Sequence, residues 1–142
     1  MFGFITRYLS SDLAIDLGTG SGAIAISLAV EGRAAEVWAT DRSPEALAVA
    51  RANLTGAGTL VAKRVQIVEG SWYSPLPALL RGRVDLIVSN PPYIAESEVP
   101  DLPADVVSWE PVGALVSGPT GMEDIETVLA GAIPWLASDG VV

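Results

Sequence analysis

The sequence predicts an α/β fold built on a doubly wound, mostly parallel sheet. Three observations predict it. Strand-like apolar runs alternate with helix-like segments along the 142 residues, as when crossover helices join parallel strands. The first run, Leu13 to Leu17, breaks into Gly18-Thr19-Gly20-Ser21-Gly22. The second, Glu36 to Thr40, closes on Asp41. Strand, glycine turn, helix, strand and acidic residue is the order of a βαβ unit whose first turn faces a ligand.

Each element has a local reason. Leu13 to Leu17 is apolar except for Asp16 and ends where glycines permit a tight turn. Ala23 to Val30 is apolar nearly all round and stops at Gly32, which predicts a buried helix with a glycine just past its end. Ser43-Pro44-Glu45 opens the next helix: serine caps, proline suits the first helical position, and glutamate faces the positive end of the dipole. That helix is expected to reach Leu54 and end near Gly56. Val65 to Val68 is the third strand, followed by Gly70-Ser71-Trp72. Val84 to Val88 is the fourth and leads into Ser89-Asn90-Pro91-Pro92-Tyr93. Two adjacent prolines cannot continue a central strand, so the chain leaves the sheet there. Glu96 to Pro119 reads as a long, acidic, proline-bearing loop. Met122, Ile125, Val128, Leu129 and Ala132 share one helical face, and Pro134 kinks or ends that helix. Ser138-Asp139-Gly140 is expected as a turn, with Val141-Val142 opening a fifth strand.

Composition narrows the chemistry. The chain has no cysteine and no histidine. Disulfides, zinc sites built on those residues, Ser-His-Asp triads and cysteine nucleophiles are therefore excluded for this chain. All eight basic residues lie at or before Arg83, whereas ten of the seventeen acidic ones follow it. That asymmetry fits a solvated acidic surface, or a surface that repels nucleic acid and receives a basic protein. Direct nucleic-acid binding is not expected, because clustered Lys and Arg are what neutralise phosphates. No apolar run approaches the roughly 18 residues of a membrane span, and Met1 to Tyr8 lacks a signal-peptide layout. A soluble, monomeric cytoplasmic domain is the expectation.

Four motifs carry function. Gly18 to Gly22 lets a ligand approach backbone N–H groups at a helix start, and Gly18, Gly20 and Ala23 also satisfy a dinucleotide fingerprint. Asp41 lies 23 residues beyond Gly18, near the expected spacing of about 20. It suits a ribose diol, or else simply enters the helix near Ser43. Trp72 packs on an adenine ring, or is a core tryptophan. Asn90-Pro91-Pro92-Tyr93 is the most specific. The Asn90 side-chain oxygen and the Pro91 carbonyl can accept both N–H groups of a planar NH2, and Tyr93 can stack on it. That geometry presents nitrogen to a methyl donor such as S-adenosylmethionine, which needs no protein nucleophile.

Together these motifs resemble the release factor glutamine methyltransferase family (HemK or PrmC). The matching stretches are Asp16 to Ala29, Asp41 to Ala50 with Asn53, Gly70 to Leu76, Val84 to Ile94, Trp109 to Leu115 and Gly121 to Ile125. The resemblance implies a class I methyltransferase, Rossmann-like fold with S-adenosylmethionine as cofactor. It implies transfer of methyl to a glutamine side-chain amide in a peptide chain release factor. Gly18, Thr19, Gly20, Ser21 and Gly22 would line the cofactor, Asp41 would bind its ribose, and Trp72 would lie near its adenine. Asn90 would touch cofactor and substrate, and Pro91, Pro92 and Tyr93 would form the amide pocket. Glu110-Pro111 resembles the family's Glu-Pro element and is given a supporting role.

The family also carries an N-terminal helical domain and linker that Met1 to Ser11 does not show, and Ser71 stands where many members have aspartate. Residues 1–11 are thus expected to be a remnant linker. Residues 12–142 would be the cofactor-binding domain with the final strands of its sheet missing. Three other readings are open: an exocyclic-amine methyltransferase of nucleic acid, an inactive truncated cofactor-binding module, and, more distantly, a nicotinamide dehydrogenase, which the glycine turn permits but which leaves Asn90-Pro91-Pro92-Tyr93 unexplained.

Overall fold

The computed structural model describes residues 11–103 and 111–142. Residues 1–10 of the expected linker, and Trp109 and Glu110, lie outside the described residues. Five strands form one sheet: β1 (Ser11–Leu17), β2 (Ala34–Asp41), β3 (Val65–Glu69), β4 (Val84–Ser89) and β5 (Leu136–Val141). Their order is β3-β2-β1-β4-β5, and each neighbouring pair is parallel. The helices are α1 (Ala23–Val30), α2 (Pro44–Gly56), α3 (Thr59–Ala62), α4 (Val112–Leu115) and α5 (Glu123–Ala132).

Because successive side chains of a strand face opposite ways, β1 feeds two cores. Leu13, Ile15 and Leu17 pack with Val128, Ala132 and Trp135 on one face. Ala14 packs with Ala25, Leu28 and Ala29 of α1 and with Val37 and Ala39 of β2 on the other. Burial on both faces is why the central strands read as nearly continuous apolar runs. α1 is less enclosed than its composition suggests: Ala25, Leu28 and Ala29 are buried, whereas Val30 is 57% exposed.

The helix ends follow the expected chemistry. Ser43 accepts the Ala46 N–H at 3.2 Å and caps α2 ahead of Pro44. Past α1, Gly32 takes φ +65°. Gly32 N–H then donates to the Ala29 carbonyl and Arg33 N–H to the Leu28 carbonyl, which closes the last turn on itself.

Two expectations are corrected. Ser138-Asp139-Gly140 is not a turn before the fifth strand, because β5 already runs from Leu136. Val84 pairs with Leu136 and Leu86 with Val141. The β5 strand therefore carries surplus residues between its two pairings, and these bulge outward with Ser138 and Asp139 exposed. Turn-forming residues mark the bulge. Nor is Glu96 to Pro119 irregular throughout. A 3-10 turn spans Glu96–Asp101, where the Glu98 carboxylate accepts the Ala95 N–H at 2.9 Å. α4 follows, and Ile94 then bridges to Val116. Among the described residues no helix is long and apolar enough to cross a membrane.

Candidate active site

The strand order reverses between β1 and β4, so the loops leaving their carboxyl ends diverge and open a crevice. Leu17 pairs with Ser89, and the Ser89 hydroxyl donates to the Leu17 carbonyl at 2.8 Å. This bond sets the glycine turn and Asn90 at one level. A cavity of about 800 Å³ lies there, within the roughly 300–1,000 Å³ of small-molecule sites. Gly18, Thr19, Gly20 and Ser21 line it, with Asp41, Trp72, Asn90, Pro91 and Pro92.

The turn is held from beneath by Asp16. This carboxylate is buried, and its Oδ2 accepts the Thr19 hydroxyl at 2.6 Å and the Ala25 N–H at 3.1 Å. Its Oδ1 is buried without a hydrogen-bond partner. Burial pushes the Asp16 carboxyl up to about 6, against the opposing pull of Thr19 and Ala25. From the side, Asn53 of α2 donates to the Ser21 carbonyl at 2.9 Å. Gly20 has φ +56° and open space where a Cβ would stand, so its backbone faces the cavity bare.

Asp41 spans the turn and the next helix. Its Oδ2 accepts the Gly20 N–H at 2.8 Å and its Oδ1 accepts the Ser43 N–H at 2.9 Å. Each oxygen keeps a second acceptor direction, so a diol can still be bound. Asp41 therefore organises the helix entry and also lines the cavity.

Trp72 is half-buried, packs against the apolar core and lines the cavity. Its φ is +49°, the one positive value at a non-glycine among the described residues. A bulky side chain in that region costs about 1–3 kcal/mol and persists only where the surroundings impose it.

Asn90, Pro91 and Pro92 enter the cavity from β4. Asn90 is exposed, which leaves its amide available. Tyr93 does not line the cavity and is 67% exposed. Its backbone is pinned by neighbours, since a Cβ on Gly121 would stand 2.6 Å from the Tyr93 carbonyl oxygen. The Ile94 N–H also donates to the Leu115 carbonyl at 3.0 Å.

Gly22 likewise does not line the cavity. It is buried against α2, where a Cβ would meet the Cβ of Ala50 at 3.2 Å. Its place is at the packing of α1 on α2. Motif reasoning also missed Arg42, which donates to the Gly113 carbonyl at 3.2 Å, and Asp124, which lines the cavity beside the prolines. Asp16 was detectable as a lone carboxylate in an apolar strand. Arg42 and Asp124 had no signal, because α4 and α5 meet β2 and β4 only through the fold. Among the described residues no group of His, Cys, Asp or Glu can hold a metal ion.

The methyltransferase small domain matches residues 5–107, most of the chain. The chain belongs to that family. Curated proteins similar to it include a release factor glutamine methyltransferase of Cereibacter sphaeroides, 42% identical over 140 residues. That match covers 97% of this chain and 48% of the relative. Another, from Xylella fastidiosa, is 46% identical over 125 residues and covers 88% of this chain and 43% of the relative. The chain thus spans about half the length of these relatives. The fold is similar to that of a ribosomal protein L11 methylase from Lactobacillus delbrueckii subsp. bulgaricus. There the TM-score is 0.61 at 22% identity, over 99% of this chain and 53% of the other. It is also similar to a glycopeptide N-methyltransferase complexed with S-adenosylmethionine, at TM-score 0.59 and 20% identity, over 98% of this chain and 48% of the other.

Proposed function

We propose that this domain transfers methyl from S-adenosylmethionine to a glutamine side-chain amide of a protein, a peptide chain release factor. The observation that carries the reading is one cavity joining the glycine turn and Asp41 to Asn90-Pro91-Pro92. Cofactor and amide sites must meet for a direct transfer.

The cavity fits the cofactor. Gly20 leaves its backbone open to an approaching ligand, and Asp41 keeps free acceptor directions for a ribose diol. The charged side chains of the lining are Asp41, Glu45, Asp124 and Arg42, a net negative set that suits a sulfonium cation. When bound, the cofactor supplies an electrophilic methyl and its own leaving group. The protein supplies position. The Asn90 side-chain oxygen and the Pro91 carbonyl accept the two amide N–H groups, which turns the nitrogen toward the methyl and raises its electron density; one of those two protons leaves the nitrogen for solvent after methylation. Tyr93, at the exposed end of the motif, covers the planar amide from outside once substrate is present. Thr19, Ser21 and Pro92 complete the walls. The domain acts as a monomer in the cytoplasm and makes no direct nucleic-acid contact, in keeping with its net charge of −9.

Calorimetric titration with S-adenosylmethionine, with Asp41→Ala as control, tests the cofactor site. Saturable binding that the variant loses is expected. Methyl transfer to a release factor, measured for the wild type and Asn90→Ala, tests the reaction. Undiminished transfer by Asn90→Ala would overturn the proposed amide site.

A further inference from the structure

Thr40 is the penultimate residue of β2 and is fully buried. Its polar groups serve two different loops. Its carbonyl accepts the Thr19 N–H at 2.9 Å, and its hydroxyl donates to the Trp72 carbonyl at 2.9 Å. Thr19 belongs to the glycine turn and Trp72 to the loop after β3, and both line the cavity. One buried residue therefore ties together two loops that touch the ligand space, the glycine turn through its backbone carbonyl and the loop after β3 through its hydroxyl.

The tie falls on the strained residue. Trp72 sits at φ +49°, a conformation that persists only where neighbours impose it. In that conformation its indole lies beside Gly18, whose absent Cβ would stand 3.3 Å from Cζ3. A buried strand position of this shape would accept valine on packing grounds alone. The hydroxyl is what distinguishes threonine there, and its bond goes to the carbonyl of the strained residue.

We infer that Thr40 is a positioning residue for the cofactor: its hydroxyl holds Trp72 so that the indole forms a wall of the cavity beside Gly18. The inference rests on the proposed function in taking S-adenosylmethionine as the occupant. It touches no reacting atom and acts through Trp72.

The test compares Thr40→Val, which keeps the shape, with Thr40→Ser, which keeps the hydroxyl. Thr40→Ala serves if the valine variant does not fold. Two readouts are taken. The first is the 19F spectrum of 5-fluorotryptophan-labelled protein without ligand, the Trp72 resonance being assigned with Trp72→Phe. Thr40→Val is expected to shift or broaden that resonance, and Thr40→Ser to leave it in place. The second is affinity for S-adenosylhomocysteine. Thr40→Val is expected to weaken binding about tenfold, with Thr40→Ser close to wild type. In a Trp72→Ala background the Thr40→Val effect should vanish, because the residue acts through the ring. An unmoved Trp72 resonance in Thr40→Val would overturn the inference. So would equal losses in the valine and serine variants, or a full Thr40→Val loss in the Trp72→Ala background. Wild-type protein that binds no cofactor analogue would sink the proposed function instead, and the ligand-free spectrum would still decide the role of Thr40.

Discussion

The carboxylate of Asp41 accepts the backbone N–H of Gly20 at 2.8 Å, so the end of β2 braces the turn that follows β1. The other oxygen accepts the Ser43 N–H at 2.9 Å. One side chain thereby orders two neighbouring loops and still presents lone pairs to the cavity. Asp41→Asn keeps one acceptor and replaces the other with an NH2 group facing an N–H. Loss of a charge-assisted bond predicts a destabilisation of about 1.5–3 kcal/mol. Urea denaturation checks this. Cofactor affinity should fall at least tenfold, since a diol then meets one acceptor in place of two.

Asp16 makes stability depend on pH in an unusual direction. Its carboxyl is raised from 3.8 to about 6 by burial, so the folded protein holds this proton more tightly than the unfolded chain does. The Asp16 contribution is then most favourable below about pH 4 and is lost as pH rises toward about 6. A shift of this size corresponds to about 3 kcal/mol. Glu45 and Glu123 are lowered, chiefly by backbone hydrogen bonds, and contribute in the opposite sense. The informative quantity is therefore the difference between wild type and Asp16→Asn. Measured by denaturation from pH 4 to 6, that difference should move in favour of the variant as pH rises. A flat difference would mean that the buried carboxyl does not titrate there.

The two glycines at the end of the turn separate binding from folding. A Cβ at Gly22 would stand 3.2 Å from both Ala50 Cβ and Ile26 Cδ1, at φ +80°. Gly22→Ala combines a left-handed backbone with a crowded helix contact and should cost about 2 kcal/mol or more. Gly20 has φ +56° and meets nothing within 4 Å. Gly20→Ala should cost only about 1 kcal/mol of stability, while its methyl enters the cavity and weakens cofactor binding further. Melting and titration of both variants should therefore rank them in opposite orders.

These residues also show what the sequence could reveal. The strands and the glycine turn were legible because each strand and cap carries a local signal, such as Ser43 before Pro44 or Asp41 after an apolar run. The fate of Gly22 was not, since its spacing is equally that of a ligand glycine and of a packing glycine. Only the approach of Ala50 from α2, 28 positions away in the chain, decides which. The β5 bulge was hidden for a similar reason: Ser138-Asp139-Gly140 has turn chemistry whether the strand stops or swells. Thr40 looked like an ordinary strand residue and Ser89 like the first residue past a strand, because their partners, Trp72 and Leu17, are supplied by other loops and strands.

Tyr93 and Gly121 give the sharpest contrast at the proposed amide site. Tyr93 is 67% exposed, so Tyr93→Ala should alter stability by no more than about 0.5 kcal/mol. If the ring closes over a bound amide, the same change should raise KM for the protein substrate and leave cofactor affinity untouched. Gly121 is buried, and a Cβ there would stand 2.6 Å from the Tyr93 carbonyl oxygen and 3.0 Å from the Ala95 nitrogen. Its φ of +81° adds strain to any substitution. Gly121→Ala should therefore cost about 2–3 kcal/mol and push the Pro92 to Ala95 segment away from the turn at Gly118 to Glu123. Substrate KM and thermal stability should worsen together in this variant, whereas Tyr93→Ala should worsen KM alone. Equal KM values for wild type and Tyr93→Ala would show that the ring remains outside the site when substrate binds.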